Sequence, residues 1–148
     1  MGEKFYNRWI AYCQSKLANV LFAYELQHRL EAAGATALSL AAHPGFASTN
    51  LRTKLRSQET PWFHRVSGFI FEWMSRSSAE QGALPQLYAA TAPNVRGGDY
   101  YGPDGLFQIS GFPRRLRSSR GSYDESLADR LWKVSEELTA VEFVRLQL

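Results

Sequence analysis

A single cysteine, Cys13, is all the thiol chemistry in the 148 residues. That excludes an internal disulfide framework and fits a reducing compartment. Three histidines, His28, His43 and His64, stand far apart with no short ligand spacing, which argues against zinc, and no metal is expected. No uninterrupted apolar run is long enough to cross a bilayer. The opening "MGEKFYNRW" lacks the apolar centre of a signal peptide, so a cytoplasmic location is expected. Charge of one sign is also in short supply: a net +3 does not ask for nucleic acid, and none is expected as a partner. What is abundant is apolar material, 45% hydrophobic with 14% aromatic, enough to build one domain with a core. There are no internal repeats and no low-complexity tract.

The chain reads first as a long helix over Ile10–Ala33. Ile10, Cys13, Leu17, Val20, Leu21 and Tyr24 recur at three- and four-residue steps and mark a core stripe. A second stripe, Tyr12, Lys16, Asn19, Ala23, Leu26 and Leu30, is polar only at its start. A helix this apolar on most sides is expected to be covered on most sides. Gly34 stops it. "ATALSLAAH", 35–43, reads as a buried strand ending at Pro44-Gly45. Helix, short loop and buried strand together predict α/β architecture with a parallel sheet. The loop "PGFASTNL" then falls beyond the strand's carboxyl end, where open α/β sheets bind ligands.

Downstream, Ser77 and Glu80 have capping-box spacing for a helix to about Thr91, kinked at Pro85. "APNVRGGDYYGPDG" is turn-rich, "LFQIS" reads as a weak strand, and "FPRRLRSSRGS" as a basic loop, solvated in preference to holding phosphate or nucleic acid. Ser122 and Glu125 are spaced to cap a last helix with Leu127, Leu131, Val134 and Leu138 on one face.

Tyr12 and Lys16, at i and i+4, share a helix face. A free phenol titrates near 10 and is a poor acid–base group at neutral pH. A cation about 4 Å from a phenolate is worth roughly 4 kcal/mol at an effective dielectric of about 20, enough to bring such a group into working range. The remaining ammonium donors could hold sugar hydroxyls. Alone, the pair is also what an ordinary helix surface shows.

In order and separation, "YCQSKLANVLFAYEL" and "HPGFAST" resemble the short-chain dehydrogenase/reductase family. "YNRWIAYCQSKLANVLFAYEL", "DYYGPDG" and "LADRLWKVSEELT" are similar to its retinol dehydrogenase-like branch. The resemblance is weakest over 53–76. It implies Tyr12 and Lys16 as the catalytic pair, with Lys16 also on the nicotinamide ribose. Pro44, Gly45, Phe46 and Thr49 would join them around the nicotinamide of NAD or NADP. It further implies a small, lipophilic alcohol, aldehyde or ketone as substrate. A homo-oligomer or a complementary fragment would pair through the Tyr12 helix. "PWFHRVSGFIFEWM", 61–74, would be a substrate lid, a helix packed on the body, or, least expected, a membrane contact. His43 reads as structural.

The sequence departs from the family at its front. The family needs a Gly-rich phosphate loop after a first strand. "RGGDYYGPDG" follows a helix and opens none, and none of the eleven residues before Tyr12 is serine or threonine. The asparagine of the family's catalytic set is missing too. Residues 1–148 are therefore expected to form one partial domain. It would be the C-terminal part of a Rossmann-type doubly wound parallel sheet, lacking the N-terminal dinucleotide-binding half. The expected function is an NAD(P)-dependent oxidoreductase on an alcohol or carbonyl group, truncated, poorly folded or aggregating alone, and inactive alone. The rival expectation is a non-catalytic split-gene or truncated remnant that keeps only a subunit-pairing surface.

Overall fold

The computed structural model describes residues 6–45 and 78–146. They fall into two compact units. The first gathers 6–41, 96–99 and 117–146, the second 42–45, 78–95 and 100–116.

The first unit is built on helix α1, Arg8–Ala32. It begins two residues earlier than its apolar periodicity suggests, because the Asn7 side chain accepts the free amides of Trp9 and Ile10. At the far end Gly34 takes a left-handed φ of +64°. Its amide donates to the Glu31 carbonyl and that of Ala35 to Leu30, the paired bonds of a Schellman stop. A second helix, α3, spans Glu125–Thr139. Its cap is Asp124, which accepts the Leu127 amide, and not Ser122. Ser122 is instead buried in a 3-10 turn, Arg120–Tyr123, where it bonds Ser118 and the Ser119 carbonyl.

The two helices meet through aromatic stacking. The rings of Phe22 and Trp132 lie 5.0 Å apart at 14°, and Trp132 is fully buried. The expected core stripe of α1 holds only towards its middle. Leu21 is buried, Leu17, Val20 and Tyr24 are half-buried, and Ile10 and Cys13 are exposed. On α3 the expected face is likewise displaced: Ala128 and Trp132 are buried, while Leu127, Val134 and Leu138 face solvent. One large indole turns this face inward: buried whole against Phe22, it removes more apolar surface than any single leucine on the helix.

The run expected as a strand over 35–43 pairs only at Ala41–Ala42, strand β1. Residues 35–38 are exposed. Ser39 explains the change. Its amide donates to Gln27 Oε1, its hydroxyl to the Ala23 carbonyl, and its carbonyl accepts from Gly98, so the backbone is satisfied by α1 and not by a ladder.

The second unit carries strands β2, Tyr100–Pro103, and β3, Pro113–Leu116, which pair antiparallel with Tyr100 opposite Leu116 and Pro103 opposite Pro113. The sheet order is β1-β2-β3. The β1 side is parallel: Ala41 donates to Asp99 and His43 to Tyr101, donor and acceptor advancing together. So β3 lies in the stretch expected to be a basic loop. "LFQIS" is not a strand; Leu106–Gln108 forms a 3-10 turn with left-handed φ at Phe107 and Gln108. The connection from β2 to β3 is too short for a crossover helix, so the pair must be antiparallel. Helix α2, Ala79–Thr91, is capped by the Ser78–Gln81 capping box, one residue beyond the expected Ser77–Glu80 pair. Gly82, Pro85 and Ala89 form its buried side, and Tyr88 packs on Tyr101 of β2, ring centroids 5.2 Å apart. The architecture is mixed α/β.

Candidate active site

Tyr12 and Lys16 lie on the first half of α1, one turn apart on an exposed face. The Lys16 ammonium stands over the Tyr12 ring, 5.5 Å from its centroid. The contact is therefore cation–π in kind, and both side chains are exposed. Among the described residues no carboxylate lies within ion-pair distance of Lys16. Close by in sequence are Tyr6, Trp9 and Ile10, 81%, 61% and 58% exposed, an apolar shoulder at the start of the helix. Cys13 is an exposed free thiol on the same helix.

Pro44 and Gly45 belong to the second unit. Gly45 adopts φ +69°, and a β-carbon there would collide with the Ile109 carbonyl and the Pro103 ring. Only glycine fits, for conformation and for space at once. Its amide donates to Nδ1 of His43 at 3.2 Å. The His43 ring stacks on Tyr100, 5.3 Å between centroids at 18°. Burial pushes the His43 imidazole below its ordinary value, and the Gln108 side chain opposes this more weakly. From the sequence His43 reads as structural; the signal that singles it out is its place one residue before the Pro-Gly bend. Phe46 and Thr49, the other two residues expected near the nicotinamide, lie outside the described residues, as does the lid segment 61–74. The structure thus brings Tyr12 to Lys16 and His43 to Gly45.

A separate cleft of about 320 Å³ in the first unit is lined by Tyr24, His28, Tyr123 and the carboxylates Glu25, Asp124 and Glu125. Among the described residues no group of three or more histidine, cysteine, aspartate or glutamate side chains could hold a metal ion.

The chain is 38% identical over 139 residues to retinol dehydrogenase 13 of Homo sapiens, a match covering 93% of this chain and 38% of that protein. It is 33% identical over 142 residues to retinol dehydrogenase 14 of Mus musculus, covering 95% and 38%. Over nearly all of its length the chain is similar to retinol dehydrogenases. Human polyprenol dehydrogenase is similar as well, 31% identical over 142 residues, 95% of this chain and 39% of that one. Such a chain spans well under half the length of the curated relatives it matches. The crystal structure of an uncharacterized protein from Mycobacterium Paratuberculosis superposes with a TM-score of 0.69 at 38% identity, covering 95% of this chain and 42% of that one. No family model matches the chain. Tyr12, Lys16, Pro44 and Gly45 are thus seen in a retinol dehydrogenase-like context. Among the described residues no helix is long and apolar enough to cross a membrane.

Proposed function

We propose that these residues form the proton-transfer and nicotinamide-side part of an NAD(P)-dependent oxidoreductase acting on an alcohol or carbonyl group of a small lipophilic substrate. The sheet would be the C-terminal part of a doubly wound, Rossmann-type sheet. The observation that carries the reading is the exposed Tyr12–Lys16 pair, one helical turn apart with the ammonium over the phenol ring. Retinol and polyprenol dehydrogenases as relatives support a lipophilic substrate.

The residues fit a nicotinamide cofactor on two counts. Lys16 has ammonium donors uncommitted to any carboxylate among the described residues, suited to ribose hydroxyls. Gly45 fixes the Pro-Gly bend, its α-carbon packed against the Ile109 carbonyl and the Pro103 ring, so the backbone there is held in place for a contact. The cofactor would supply hydride chemistry at its nicotinamide. The chain's part is the proton: Tyr12 Oη gives it to, or takes it from, the substrate oxygen, with the Lys16 ammonium standing over the same phenol ring. The apolar shoulder of Tyr6, Trp9 and Ile10 would keep bulk water from the reacting oxygen once covered.

The 148 residues hold no Gly-rich phosphate loop and no serine before Tyr12. The chain alone should therefore give no saturable heat when titrated with NADH or NADPH in a calorimeter, and micromolar binding would overturn that account. In a form that does turn over, Tyr12→Phe should lower kcat at least a hundredfold, in line with the loss of general acid–base help, while leaving cofactor affinity unchanged. Near-normal turnover would sink the acid–base role. A second reading, a non-catalytic chain whose α1 end pairs with another subunit, is favoured by the exposure of Trp9 and Ile10.

A further inference from the structure

We propose that His43 is a positioning residue: its imidazole, acting as a hydrogen-bond acceptor, clamps the Gly45 amide and fixes the Pro44–Gly45 bend. The link to cofactor binding rests on the function proposed above; the clamp itself does not.

The argument starts from the direction of one bond. The Gly45 amide donates to His43 Nδ1 at 3.2 Å. An imidazole nitrogen that accepts carries no proton, so the ring must be neutral with its hydrogen on Nε2. The ring is held in place from several sides. The main chain is pinned by His43 N–H donating to the Tyr101 carbonyl at 2.9 Å. Tyr100 stacks on one face of the ring. Gly102 lies against Nε2, where any β-carbon would overlap the imidazole. Nε2 itself is buried with no hydrogen-bond partner. That lack is tolerable for a neutral N–H and poorly suited to an imidazolium. Among the described residues the groups acting on the ring are the Tyr100 phenol ring, the Gln108 amide, and backbone at Gly45 and Gly102, with no carboxylate to stabilise a cation. The bend in turn is locked on its other side by the Ile109 carbonyl against Gly45.

A proton added to Nδ1 would set donor against donor. The clamp should then open, releasing the left-handed turn at Gly45 just where the proposed nicotinamide contact begins. His43 therefore makes the bend's geometry depend on pH, intact at neutrality and lost on acidification.

The test uses the ¹⁵N-labelled chain and two variants. Long-range ¹⁵N–¹H correlation should show the His43 proton on Nε2 at pH 7.5. Hydrogen-exchange protection at Gly45, corrected for intrinsic rate, should fall about tenfold in His43→Leu, the worth of one hydrogen bond. It should be kept in His43→Asn, whose side-chain carbonyl stands where Nδ1 does. The amide of residue 43, bonded to Tyr101, should stay protected in all three, which separates loss of the clamp from unfolding. In the wild-type chain Gly45 protection should hold at pH 6.5, the ordinary histidine value, and fall only as pH drops through the lower value that burial gives His43. Equal protection in His43→Leu, or a proton on Nδ1, would overturn the proposal. Should His43→Leu fail to fold, the wild-type titration decides: Gly45 protection that persists through protonation of the ring ends it. Failure of the cofactor reading is seen in the nicotinamide titrations and leaves these exchange data untouched, so the two can fail separately.

Discussion

Arg29 holds a charge where few residues do. Its side chain and that of Glu25 are both almost fully buried, with Nε and Oε1 2.7 Å apart. The guanidinium also reaches Asp129 Oδ1 at 3.2 Å and the Leu146 carbonyl at 3.1 Å, and lies 4.6 Å from the Trp132 ring centroid. Its donors are spread over carboxylate, carbonyl and ring, which lysine's point charge could not do. Truncation to Arg29→Ala would leave the Glu25 carboxylate buried and unpaired, at a cost of about 3–5 kcal/mol. Removing both charges, with Arg29→Met and Glu25→Leu, should be close to neutral. Urea midpoints for the single and double variants check this; a double variant as unstable as the single would mean that packing, not charge, sets the loss. Acid acts at other residues. His43 has a folded value below its unfolded 6.5, so its contribution is present above pH 6.5 and is lost as pH falls through the lowered value. Asp124 and Asp129 are held below the usual carboxylate range by Ser126 and Lys133, so theirs is lost only in stronger acid. Urea midpoints against pH should fall in two separated stages, and His43→Asn should erase the first alone.

At the scale of elements, Trp132 decides the packing of α3. Trp132→Ala should cost about 3–5 kcal/mol, whereas Leu138→Ser, at an 83% exposed position, should stay within roughly 0.5 kcal/mol. Thermal unfolding followed by far-ultraviolet circular dichroism separates the two, and a large effect at Leu138 would restore the face that periodicity assigns to this helix. The contrast marks how far sequence reading reached. Helix ends are set by residues within a few positions of them, so Gly34 and the α2 cap were legible, the latter to within one residue. Helix faces depend on which side chain a partner offers a pocket to, and for α3 that partner is Phe22, 110 residues before Trp132 in sequence. Strands were the least legible. "ATALSLAAH" lost most of its length to the Ser39 bonds with α1, and "PRRL" reads as a solvated loop until Tyr100–Pro103 is set beside it. The candidate site divides in the same way. Tyr12 and Lys16 are read directly from a spacing of four on one helix, but the clamp on Gly45 needs Tyr100 and Gly102 to hold His43, and neither is near it in sequence.

For the whole molecule the telling quantity is the apolar surface left uncovered at the start of α1. Tyr6, Trp9, Ile10 and Tyr12 follow one another along one end of a helix whose other end is buried by α3. Monomeric proteins rarely expose contiguous apolar patches of more than a few hundred Å², and larger ones mark interaction sites. A second copy of the chain, or a subunit supplying the strands that the relatives' longer chains have room for, would both bury it. The first of these can be read in solution. Sedimentation velocity over a wide concentration range should show reversible association of the wild-type chain. The double change Trp9→Lys and Ile10→Lys should return it to monomer, by placing two cations where apolar surface met apolar surface. Both positions are exposed in the single chain, so the change should leave its helix content as it is, and circular dichroism verifies that. Association undiminished by the two lysines would remove the pairing surface from α1 and with it the non-catalytic reading. Association abolished while Tyr12→Phe still silences turnover in a complete enzyme would give this helix both tasks.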